Sequence, residues 1–139
     1  MASEIEKICI EKGMRMTDQR RVIARVLSDA LDHPDVEEVY RRSIDIDSRI
    51  SIATVYRTVR LFEEAGILER HDFRVENGEN RARFELVSEI HHDHLIDVEC
   101  GEVIEFHDDE IELLQKKIAE KYGYKLVDHR MELYGVKIK

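Results

Sequence analysis

Three imidazoles and a carboxylate occupy four consecutive positions, His91-His92-Asp93-His94, directly before the β-like apolar run Leu95-Ile96-Asp97-Val98. No other stretch constrains the fold as strongly. An extended segment turns successive side chains to opposite faces. His91 and Asp93 then point one way, and His92 and His94 the other. Neutral imidazole and carboxylate are ligands for first-row metals, so one short strand can feed two separate sites. An isolated cluster of this kind reads equally as a solvated polar turn, and the rest of the chain decides between the two.

The 139 residues suit one domain or two small ones. No apolar run approaches the roughly 18 residues of a membrane span, and the N-terminus has no signal-peptide pattern, so a cytoplasmic protein without a membrane partner is expected. Cys9 and Cys100 lie far apart, and neither belongs to a CxxC. That argues against a disulfide scaffold. The net charge of −9 is unevenly spread. Residues 1–84 carry 15 Lys and Arg against 17 Asp and Glu, whereas residues 85–139 carry 7 against 14. Five of the seven histidines fall in the acidic part. An acidic, histidine-rich half reads as a cation-binding half, and any contact with nucleic acid must come from a local basic face.

The first half predicts helices. Residues 4–12 place Ile5, Ile8 and Cys9 on one side, and Thr17 can cap a second helix to about Asp29 with the stripe Val22, Ile23, Val26 and Leu27. His33-Pro34-Asp35 opens a third helix, with Pro at its first position and Val36, Val39 and Tyr40 inward, and Ser43 to Arg49 reads as a polar connection. Ser51 caps a fourth helix from Ile52 to about Ala65, ended by Gly66, whose stripe is Ile52, Val55, Val59 and Phe62. Thr54 and Arg57 project on the opposite side, with Tyr56 and Arg60 on a flank; Tyr56 could also sit at the edge of the core. The stretches 67–71 and 81–86 alternate like strands, with the loop 75–80 between them. Helices followed by a hairpin form the pattern of a winged helix-turn-helix, which favours DNA binding.

The second half predicts a small α/β unit. His94–Val98 and Glu102–Phe106 read as strands, and Asp108 or Asp109 caps a helix with the stripe Ile111, Leu114, Ile118 and Tyr122. Gly123 ends that helix, and Lys125 to Val136 reads as a last strand. About 50 residues make little core, so dimerisation would supply the missing burial. The expected fold class is α+β: residues 1–86 as the winged-helix DNA-binding domain, 87–90 as a hinge, and 91–139 as an α/β dimerisation and metal-binding domain.

Thr54-Val55-Tyr56-Arg57, Phe84-Glu85, His91-His92-Asp93-His94, Val103-Ile104-Glu105-Phe106, Glu112 and His129 stand in this order along the chain. In these elements the chain resembles the ferric uptake regulator family of metal-dependent repressors, essentially end to end. The resemblance implies a homodimer that binds double-stranded, A/T-rich palindromic DNA and represses metal-uptake genes, with no small-molecule substrate. It implies two metal sites per chain. The interdomain regulatory site would be His33, Glu85, His94 and Glu105, tying the domains into one orientation. The second, in the dimerisation domain, would be His91, Asp93, Glu112 and His129. His92 is assigned to neither. For DNA, the resemblance implies Thr54, Tyr56 and Arg57 at the major groove, with Arg57 on guanine and Tyr56 on thymine, and Arg15 at the minor groove.

One departure from the family pattern matters. Many relatives hold a structural zinc with paired CxxC motifs, whereas here Asp97 stands for the first cysteine and only Cys100 remains. No structural zinc held by four cysteines is therefore expected. This cysteine-poor pattern, with Arg41-Arg42-Ser43 and Leu133-Tyr134-Gly135-Val136, resembles the branch that includes the manganese uptake regulators. Glu85 and Glu105, where peroxide-sensing relatives carry aspartate, argue against peroxide sensing. Nitrogen and oxygen ligands without thiolate suit Mn(II) or Fe(II), and Zn(II) or Co(II) would bind the same set in vitro. Two other classes compete: a small non-haem metalloenzyme using an open position of the His/carboxylate site, and a metal buffer uncoupled from DNA.

Overall fold

Side-chain caps set the starts of the first four helices. Ser3, Thr17, Asp35 and Ser51 accept the backbone N–H of Glu6, Arg20, Glu38 and Thr54, opening α1 (Glu4–Glu11), α2 (Asp18–Asp29), α3 (Val36–Ile46) and α4 (Ile52–Glu64). Each cap satisfies one of the amide donors that a helix start leaves over. A computed structural model of the chain describes residues 2–73, 82–87 and 92–138. These described residues divide into two compact units, the first holding 2–73 and 82–87, the second 92–138.

In the first unit the four helices and a two-stranded antiparallel sheet, β1 (Leu68–His71) with β2 (Arg83–Leu86), share one core. Ile5, Ile23, Val39, Val55 and Phe62 are fully withdrawn from solvent there. Gly66, with φ of 75°, ends α4 and turns the chain into β1. The expected loop 75–80 lies outside the described residues, as do residues 88–90 of the expected hinge.

Three expectations for this half need correction. Pro34 is not the first helical residue; Asp35 takes the cap, and His33 and Pro34 run alongside β2 instead. The Phe84 N–H donates to the Pro34 carbonyl at 3.0 Å, which draws this segment out of the helix. Residues 43–46 are not a connection but the last turn of α3, because Ser43 is small enough to be buried within it. Ile52 is 40% exposed, and Thr58 takes its place in the buried stripe of α4. A residue in the first turn of a helix that leaves the core at its N-terminus has little to pack against.

In the second unit β3 (Asp93–Asp97) is the central strand, antiparallel to β4 (Val103–Phe106) and parallel to β5 (Glu132–Gly135). Helix α5 (Asp109–Lys121) is capped by Asp108. The long last strand is replaced by the four residues of β5, and Val127 is 95% exposed. The α5 stripe is not core within one chain: Leu114, Ile118 and Tyr122 are 57%, 51% and 68% exposed. Only Ile96 and Val98 form buried apolar core among the described residues of this unit. The unit has a small apolar core of its own, and exposed apolar side chains on this scale suit a surface that meets a partner.

Arg42 of α3 clamps the turn before it through two bonds to Asp32, at 3.0 and 2.7 Å. That hydrogen bonding holds the Asp32 carboxyl below its usual range against the opposing effect of burial. A lowered folded value means stability that is fully present above the unfolded pKa of about 3.9 and is lost as pH falls through the folded value. Urea unfolding from pH 6 to pH 3 is expected to show a steeper acid loss in the wild type than in Asp32→Asn. Identical pH profiles would remove the clamp from the acid response.

Candidate metal centre and nucleic-acid face

The β1–β2 register pairs His71 with Arg83 and Glu69 with Glu85. Alternation puts Arg83, Glu85 and His71 on one face of this ribbon, and Phe84 and Leu86 on the core side. Glu85 is thereby a diagonal neighbour of His71, within reach across the ribbon. Its Oε1 lies 2.7 Å from His71 Nε2 and its Oε2 lies 2.8 Å from His33 Nε2. His33 and His71 are 7% and 1% exposed. His33 reaches this face because its segment is pinned to β2: the Arg83 Nε–H donates to the His33 carbonyl at 2.6 Å. Arg83 lies over the Phe73 ring, and burial pulls its guanidinium below its usual pKa. Of the expected regulatory set, the first unit thus brings His33 and Glu85 together.

In the second unit β3 and β4 place His94 directly opposite Glu105. His92, two residues along, shares that side, with its Nε2 3.3 Å from Glu105 Oε1 and its ring 5.2 Å from that of His94. On the other side of β3, Asp93 is 1% exposed, and His129 Nε2 lies 3.0 Å from its Oδ1 and 3.4 Å from Glu112 Oε1. Asp93, Glu112 and His129 of the expected second site therefore converge, while His91 lies outside the described residues.

These sets suit a divalent cation. Two carboxylates converge on one imidazole nitrogen, one of them fully buried, and such a group of oxygen and nitrogen donors matches what a divalent cation takes. The donors are nitrogen and oxygen atoms only, the chemistry of Mn(II), Fe(II), Co(II) or Zn(II).

Two residues were not assigned from sequence. For His92 the signal was present, since alternation already placed it beside His94. For His71 the signal was the strand register, which no single stretch of sequence contains. Asp97, at the position of the expected missing cysteine, accepts the Glu99 and Cys100 N–H groups at 2.9 and 3.3 Å. With the Cys100 thiol also bonded to it, its carboxyl is held below the usual range.

The exposed side of α4 carries Tyr56, 53% exposed, with Arg57 and Arg60. Tyr56 is therefore not a core residue. Thr54 lies 3.0 Å from the Ser51 cap hydroxyl and accepts from Arg57 Nη2 at 3.3 Å, so the guanidinium is drawn toward the helix N-terminus. Arg15 is exposed before α2, and its carbonyl accepts from Arg20 Nη1 at 2.7 Å.

The model of the ferric uptake regulator family matches residues 11–134. The chain belongs to the ferric uptake regulator family. It is 62% identical over 139 residues to the ferric uptake regulation protein of Rhizobium leguminosarum bv. viciae, a match covering 100% of this chain and 95% of the relative. Among solved structures, the zinc-bound manganese uptake regulator is 62% identical, with a TM-score of 0.81 and 96% and 98% of the two chains covered. The Pseudomonas aeruginosa ferric uptake regulator with manganese is 38% identical, with a TM-score of 0.79 over 98% and 99%. The chain is a metal-responsive transcriptional regulator of this family, not an enzyme, and the metalloenzyme alternative falls. Family proteins bind DNA as dimers, and no helix among the described residues is long and apolar enough to cross a membrane.

Denaturant unfolding distinguishes the two positions of α4. Tyr56→Ala is expected within about 0.5 kcal/mol of wild type, as for an exposed site, whereas Phe62→Ala should cost about 3–5 kcal/mol. A comparable loss at both would put Tyr56 back in the core.

Proposed function

We propose that this regulator represses iron- or manganese-uptake genes in the cytoplasm, binding A/T-rich palindromic DNA as a homodimer when loaded with Mn(II) or Fe(II). The observation that carries the reading is the division of β3, with His92 and His94 on the side of Glu105, and Asp93 on the side of Glu112 and His129. On this reading His33, Glu85, His94 and Glu105 hold the regulatory ion, and the position of His92 against Glu105 makes it a further donor for that ion. His91, Asp93, Glu112 and His129 hold the second. An ion that takes its donors from both units selects one orientation of the two α4 helices in the dimer, and therefore one spacing of half-sites. Linkage is reciprocal, so operator DNA tightens metal binding by the factor that metal tightens DNA binding.

The choice of Mn(II) or Fe(II) draws on the nitrogen and oxygen donors and on the relative solved with manganese. A relative solved with zinc supports substitution by Zn(II), and Co(II) follows from the same chemistry. No four-cysteine zinc forms in this chain, because Cys9 and Cys100 are its only cysteines. At the operator, Arg57 makes a bidentate contact to guanine, Tyr56 packs on a thymine methyl, Thr54 supports Arg57, and Arg15 enters a narrow minor groove.

The test is binding to an A/T-rich palindrome at fixed salt, comparing metal-stripped protein with protein given Mn(II), or Fe(II) without oxygen. Tight binding with metal alone is expected, abolished in His33→Ala and His94→Ala with the dimer intact. Equal binding with and without metal would reject the switch and leave the buffer reading for the ligand sets. Arg57→Ala should retain metal and lose about 1–3 kcal/mol of discrimination at one base pair; an unchanged specificity ratio would remove its role in reading bases.

A further inference from the structure

His71 belongs to neither expected ligand set, yet it is only 1% exposed. Its ring stacks on Phe73, itself 1% exposed, with centroids 4.8 Å apart and planes 7° from parallel. A histidine buried this completely must direct its ring nitrogens to partners. Its Nε2 meets Glu85 Oε1 at 2.7 Å, while His33 Nε2 is 2.8 Å from the other oxygen, Oε2. The two oxygens of one carboxylate are thus divided between two imidazoles. The terminal torsion of a glutamate is otherwise broad and two-fold, so an untethered carboxylate samples many directions.

We propose that His71 is a positioning residue for Glu85: its Nε2–H donates to Oε1 and fixes the plane of the carboxylate, so that Oε2 is left facing His33. The proposal rests on the reading that Glu85 and His33 ligate the regulatory ion. The division of labour on the carboxylate follows from the register. Glu85 sits diagonally from His71 on one face of the β1–β2 ribbon, and the Phe73 stack restrains the His71 ring in the plane it needs. Holding a ligand by its non-coordinating atom is how outer partners raise metal affinity, typically by about 10- to 100-fold.

The experiment is a cobalt(II) titration followed by visible absorption. The full chain carries His129→Ala to disable the second set. In that background His71→Phe keeps the stacked ring and loses the donor, and cobalt affinity should fall about 10- to 100-fold. His71→Gln places an amide N–H near the position of Nε2–H and should recover most of that loss. The saturated ligand-field spectrum should be the same in all three proteins, because the donor set is unchanged. His71→Asn, whose amide falls short of Oε1, should behave as His71→Phe and serves in its place if the phenylalanine variant does not fold. Wild-type affinity in the Phe or Asn variant would overturn the positioning role. Equal loss in the Phe and Gln variants with an altered saturated spectrum would overturn it too, making His71 a ligand. His33→Ala reports separately on the underlying reading. If it binds cobalt as tightly as its parent, the regulatory set is wrong; if it loses cobalt while His71→Phe does not, only the positioning role fails.

Discussion

A carboxylate withdrawn from water must be met by a cation or by hydrogen-bond donors, and this chain withdraws Glu85 and Asp93. Each is met by imidazole nitrogen: Glu85 by His33 and His71, Asp93 by His129. Much of the local architecture serves those encounters. The segment before α3 leaves the helix and runs along β2 so that His33 reaches Glu85. The segment after α5 carries His129 back to the central strand before β5 begins. Imidazole suits this arrangement because it satisfies a buried carboxylate as a donor and binds a divalent metal once its nitrogen is free of the proton.

The two units manage burial differently. The first has a continuous apolar core fed by four helices and the ribbon. The second buries Ile96 and Val98 while leaving the apolar faces of α5 and the sheet open. This asymmetry matches the charge distribution, since the acidic, histidine-rich half is also the half with the smaller core. A family whose members bind DNA as dimers can place its missing core at the subunit interface, at the expense of making the fold of this unit conditional on association.

Local signals were legible where physics is local. Thr17 and Ser51 cap helices because side-chain oxygens accept amides three residues ahead, and that spacing is written in sequence. The alternation of His92, Asp93 and His94 is equally local. The sequence was less informative wherever a distant partner decides. Pro34 looked like a helix start until β2 drew it away. The stripe of α5 is genuine, but within one chain it has too little to pack against. His71 acquires meaning only through the pairing of β1 with β2, a choice made across residues far apart in sequence. The family resemblance supplied the order of the ligands, whereas the division of one carboxylate between two imidazoles emerges only from the folded chain.

Glu85 and Phe84 are consecutive on β2 and face opposite ways: one toward the imidazoles, the other into the hydrophobic core at 4% exposure. A single peptide unit therefore joins the polar cluster to the apolar interior. A displacement of the carboxylate is passed to a backbone whose next side chain is packed among core neighbours, and close-packed interiors transmit strain. The polar cluster inherits the rigidity of the core without being part of it, and loosening the packing around Phe84 would blur the site even with every polar residue in place.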